Sequence, residues 1–108
     1  MNLPTEIFGE VIVVHTPEEL GGEQVDQFQT CVLGMDRHNV VLDLDSTETL
    51  DSRGLTSLCD IQDKFREQGG DVKIAVTNST NRKILEITRL DQQLEVFESV
   101  VDAVRSFR

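Results

Sequence analysis

Over Asn39 to Leu58, NVVLDLDSTETLDSRGLTSL, the apolar residues change period, and that change limits the fold more than any other stretch of the chain. Val40, Val41, Leu42 and Leu44 make a β-branched run of strand length, whereas Leu55, Leu58, Cys59, Ile61 and Phe65 recur at the spacing of one helix face. The polar residues between them form a turn. Gly69-Gly70 supplies a stop at little steric cost, so the spacing predicts a helix from about Ser52 to Gln68. A strand that feeds directly into an amphipathic helix reaches its next strand by a crossover, which favours parallel neighbours.

The same alternation runs along the chain. Ile7, Phe8, Val11, Ile12, Val13 and Val14 flank Gly9-Glu10 between Glu6 and His15, predicting two short strands or one hairpin. After a loop from Pro17 to Gly22, Val25, Phe28, Val32 and Met35 predict a helix from about Glu23 to Met35. Val72 to Val76 is a further strand with Val72, Ile74 and Val76 on one face. Thr77-Asn78-Ser79-Thr80 reads as a turn and cap before a short helix, Arg82 to Thr88, that buries Ile84, Leu85 and Ile87. Leu94 to Phe97 is the last strand. Ser99, with Asp102 three residues on, resembles a capping box before a terminal helix carrying Val100, Ala103, Val104 and Phe107. The order β-β-α-β-α-β-α-β-α gives an α/β class: a mixed, mainly parallel sheet of roughly four to five strands with about four helices. Whether the helices gather on one face of the sheet stays open.

A chain of 108 residues, 38% hydrophobic, suits one small domain over residues 1–108 with a modest two-layer core. Met1 to Glu6 has neither a long apolar run nor a basic segment, so neither a transmembrane helix nor a secretory signal is expected, and the cytoplasm is the expected location. The formal charge of -10 opposes binding to nucleic-acid phosphates or an anionic membrane and suits a basic protein partner, although the same charge also serves solubility.

Catalytic and metal chemistries find little support. Cys31 and Cys59 each sit in an apolar helical pattern without a CxxC or Cys/His companion, as small reduced core residues do. His15, at a strand end, and His38, in a loop, have no ligand spacing. The acidic cluster Asp43, Asp45, Glu48 and Asp51 fails as an EF-hand because Glu48 holds the sixth place, which needs glycine. A response-regulator receiver needs an acidic pair after the first strand and a lysine after the last, and the lysines are Lys64, Lys73 and Lys83. No Gly-x-Ser-x-Gly elbow, GxGxxG or Walker-type loop occurs, and no histidine lies near Ser52 in sequence. A binding protein without metal or cofactor is expected, not an enzyme.

Ser52 falls at or near the start of the predicted helix, where free N–H groups and the positive end of the helix dipole accept a serine oxygen or a phosphate. On residue types alone, Asp51-Ser52 is a helix start. Asn39 to Leu58, with the element order around it, also resembles the STAS domain (sulphate transporter and anti-sigma factor antagonist), whose signature is an apolar strand, a short polar loop and Asp-Ser-small-Gly-Leu opening a helix. The resemblance implies that Ser52 is the phosphoacceptor, that Asp51 is the family's acidic residue, and that Gly54-Leu55 are the glycine and first core contact of the helix. Asp43 stands where the family commonly has Asp or Asn at the strand end. Asp43, Asp51, Arg53 and Gly54 are accordingly expected around the phosphosite and in partner binding.

Two departures stand out. Arg53 fills a place that the family usually gives to a small residue. Pro17-Glu18-Glu19-Leu20-Gly21 is the nearest match to the family's Gly-Glu-Leu-Asp element, with Gly21 where an aspartate associated with kinase recognition would fall. The resemblance implies an anti-sigma factor antagonist: a protein-binding switch controlled by a partner serine kinase, the anti-sigma factor, and so a regulator of transcription, with a PP2C-type phosphatase as a further partner. The alternative is a non-phosphorylated STAS scaffold subunit of a larger signalling or lipid-transport complex, in which Ser52 only caps its helix. Arg53 is left with three roles: pairing with a phosphate, touching an acidic partner surface, or blocking the usual kinase.

Overall fold

A computed structural model describes residues 1–107, and among them lie seven strands and four α-helices. β1 (Thr5–Phe8) and β2 (Val11–His15) form an antiparallel hairpin closed at Gly9, whose positive φ of 63° suits glycine. Then follow β3 (Glu19–Leu20), α1 (Val25–Leu33), β4 (Asn39–Asp43), β5 (Thr49–Leu50), α2 (Ser52–Glu67), β6 (Asp71–Ala75), α3 (Ser79–Ile87), β7 (Glu95–Phe97) and α4 (Val100–Arg105). The main sheet has the order β1-β2-β4-β6-β7, with parallel pairing everywhere except between β1 and β2. The alternation of periods predicted this mixed, mainly parallel sheet.

Helices cover both faces, unequally. Ile12, Val14, Val40, Leu42, Val72 and Ile74 point to one side, where Phe28 and Val32 of α1, Leu58, Ile61 and Phe65 of α2 and Leu85 of α3 complete the main core. Val11, Val13, Val41 and Ala75 point to the other side and meet Ala103 of α4, with Phe97, Val104 and Phe107 at the margin. β4 is thus buried on both faces, which is why its apolar run is unbroken and not alternating. Under α4 the Lys73 ammonium donates to the Ser106 carbonyl (3.1 Å) and hydroxyl (2.8 Å) and pairs with Glu95 at 3.2 Å. It also lies 4.5 Å from the centre of the Phe107 ring, so one cation fastens the last helix to the sheet.

Three details depart from the sequence reading. Ile87, expected in the core, is 72% exposed: it lies about 200° around α3 from the buried Leu85, on the outer side of the helix. Cys31 and Cys59 are half-buried free thiols at the edge of the core. The parallel ladder of β3 with β5 was not predicted, since two-residue strands carry no period. The capping expectation holds in one direction, with the Ser99 hydroxyl accepting the Asp102 N–H at 3.1 Å.

Candidate functional site

The link from β4 to α2 is fastened before it reaches Ser52. The Thr47 hydroxyl donates to the Pro17 carbonyl at 2.6 Å, and the buried Asn81 amide donates to the carbonyls of Leu44 (3.1 Å) and Thr47 (2.7 Å). Asp45 accepts the N–H groups of Thr77 (2.7 Å) and Asn78 (3.1 Å) and the Thr77 hydroxyl (2.8 Å), which joins this link to the start of α3. Partial burial works against the Asp45 charge, but the three bonds outweigh it and hold the carboxyl below its usual range.

Asp51, at extended φ and ψ of -97° and -178°, is the N-cap of α2, and Ser52 is the first helical residue. One Asp51 oxygen accepts the Gly54 N–H and the other the Gly22 N–H, both at 2.9 Å. The bond from Gly54 does most to hold the Asp51 carboxyl below the usual range, with the N–H groups of Gly22 and Arg53 and the Arg53 charge adding to it. This carboxylate occupies the space that a side chain at Gly21 would need, and a side chain at Gly54 would run into the Leu20 carbonyl. The two glycines therefore let β3, the start of α1 and the start of α2 converge. That contact explains Gly54 better than helix propensity does, since glycine in a helix interior is unfavourable by itself.

Ser52 and Arg53 are exposed at the end of a groove between α1 and α2, whose walls carry Asp26 and Gln29 from α1 and Thr56 and Asp60 from α2. Sequence reasoning had not singled out these four. Thr56 and Asp60 share Ser52's helical stripe and were findable from it; the α1 pair depends on how two helices pack. Asp51, Ser52, Arg53 and Gly54 are brought together, and Asp43 is not among them. Asp43 is buried on the α4 face of the sheet, where it accepts the Asp45 N–H at 3.0 Å and bonds His15 at 2.8 Å. A depression of about 470 Å³ lies between Met35, His38 and Gln68 and contains none of the expected residues.

With this geometry in place, a model of the STAS domain matches residues 2–103. A Thermotoga maritima protein provisionally named an anti-sigma factor antagonist is 23% identical over 109 residues, covering 97% of this chain and 96% of its own. A crystal structure of an anti-sigma factor antagonist from the same organism, likewise provisionally named, superposes with a TM-score of 0.86 at 22% identity, over 96% of this chain and 92% of that one. The phosphorylated form of the Bacillus cell fate determinant SpoIIAA superposes with a TM-score of 0.67 at 16% identity, over 99% of this chain and all of its own (100%). The structural likenesses establish a shared fold. Among the described residues, no helix is long and apolar enough to cross a membrane.

Proposed function

The chain belongs to the STAS domain family, and from that premise we propose that it is an anti-sigma factor antagonist, a cytoplasmic protein that works by binding and is switched at Ser52. Unphosphorylated, the exposed end of α2 with Asp51, Ser52 and Arg53, held in place by the buried Gly54, docks an anti-sigma factor of the serine kinase type, which then releases its sigma factor. The kinase supplies ATP: the Ser52 oxygen forms a bond to the γ-phosphorus, the bond to ADP breaks, and the hydroxyl proton leaves. A PP2C-type phosphatase removes the group by hydrolysis: water bonds to the phosphorus, the bond to the Ser52 oxygen breaks, that oxygen takes up a proton, and inorganic phosphate leaves.

One observation carries this reading. Asp51 caps α2, so the exposed Ser52 hydroxyl is not the group that holds the helix end and is free to be modified. A phosphate there adds roughly -1.5 to -2 charges beside Asp51, and burying that charge in an interface is costly. SpoIIAA, which has this fold, is described in a phosphorylated form, and that lends the reading support.

Arg53 and Gly21 favour a second reading, a STAS scaffold subunit that no kinase modifies, because a large cation adjoins the acceptor and no acidic side chain stands at position 21. Incubation with the cognate kinase and ATP, followed by intact mass, separates the two. A single added phosphate on wild type that is absent from Ser52→Ala supports the switch; an unmodified wild-type chain supports the scaffold.

A further inference from the structure

The edge strand β1 is exposed along all four of its residues, so burial does little to hold it. One side-chain bridge crosses it. The His15 ring bonds Glu6 of β1 through Nε2 and Asp43 of β4 through Nδ1, each at 2.8 Å, tying three adjacent strands together on one face of the sheet. A ring that serves two carboxylates with two N–H donors is an imidazolium; the neutral ring has one donor. The carboxylates are not equivalent, since the Asp43 side chain is 10% exposed and that of Glu6 is 55% exposed. On losing a proton, the ring keeps its remaining N–H on Asp43, which has far less access to water in exchange than Glu6, and Glu6 turns to solvent.

We propose that Glu6, His15 and Asp43 form a proton-operated clasp that tightens the edge strand against the sheet when the imidazole is charged and loosens β1 when it is neutral. The charged groups facing the ring are Glu6 from β1 and Asp43 from β4, while α4, which also packs on this face, turns Val100, Ala103, Val104 and Phe107 to the sheet. Burial pulls the His15 pKa down, and the hydrogen bonds and charges of the two carboxylates outweigh it, leaving it above 6.5. The folded-state value is the higher one. The clasp's stabilisation is therefore complete below the unfolded value of about 6.5 and is lost as pH rises through the folded value.

The test is NMR on the full chain: the ring titration of His15, and amide-exchange protection factors for Thr5–Phe8 against those of Val40–Leu42, from about pH 5.5 to 9. In wild type, β1 protection should fall roughly threefold relative to β4 across the His15 midpoint, the size of effect a partly exposed ion pair supports. Glu6→Thr, which keeps a strand-forming residue but cannot reach the ring, should lower the His15 midpoint and hold β1 at the high-pH wild-type level throughout. A His15 midpoint at or below 6.5 in wild type, a midpoint unmoved by Glu6→Thr, or a β1 to β4 ratio that does not change with pH would each overturn the clasp. Because Glu6 is exposed, this variant leaves the core intact and the test does not depend on replacing His15.

Discussion

Asp51 and Ser52 are neighbours with separable duties. Asp51 holds the helix end and the Gly22 loop, while Ser52 offers a hydroxyl that the cap does not use. Ser52→Ala should therefore change stability by no more than about 0.5 kcal/mol, against about 1 kcal/mol were Ser52 the cap. Asp51→Ala should lower the urea midpoint clearly at pH 7. Asp51→Asn, with one acceptor oxygen in place of two, should keep the Gly54 cap but lose the Gly22 bond and the charge, and acid unfolding distinguishes it from wild type. The folded pKa of Asp51 lies below its ordinary 3.8, so the stability it contributes is present above that value and lost as pH falls through the folded one. Wild type should consequently lose more stability than Asp51→Asn between about pH 5 and pH 3, read as the shift in urea midpoint. The sequence announced a helix start at this dipeptide because both residues are good starters. Which of them caps is decided by the backbone: Asp51 is extended and Ser52 is already helical, a distinction that composition does not carry.

The position of α2 rests on contacts with segments far away in sequence. Its buried face was legible because Leu55, Leu58, Ile61 and Phe65 repeat at helical spacing and all pack in the main core. Gly54 was legible as a residue and not as a contact, because the Leu20 carbonyl it meets belongs to a two-residue strand with no periodicity of its own. Ile87 failed for a different reason: two residues on from Leu85, it falls about 200° around the helix, outside the core stripe that Asn81 and Leu85 mark. Gly54→Ala should force α2 away from β3 and destabilise by about 1–3 kcal/mol in urea unfolding, whereas Thr56→Ala, exposed on the same helix, should stay within about 0.5 kcal/mol. An alanine at 54 as stable as wild type would mean that the helix start shifts freely, and the fixed presentation of Ser52 would go with it.

The molecule as a whole carries a charge of -10, and phosphorylation would take it to about -12. Diffusional steering follows that total, so toward a basic partner the modified chain should approach no more slowly than the unmodified one. The proposed switch would then act after contact, where a phosphate beside Asp51 would be pressed into an interface and lose its water. Association and dissociation rates measured with the anti-sigma factor, from about 50 to 300 mM NaCl, separate the two stages. Both forms should associate more slowly as salt rises, and the phosphorylated form should dissociate at least about tenfold faster, with its association rate unchanged or raised. A phosphorylated chain that loses affinity through slower association would show instead that the partner surface is acidic where it meets Ser52. Arg53 would then be the residue that attracts it, and Arg53→Ala would slow association of the unmodified chain.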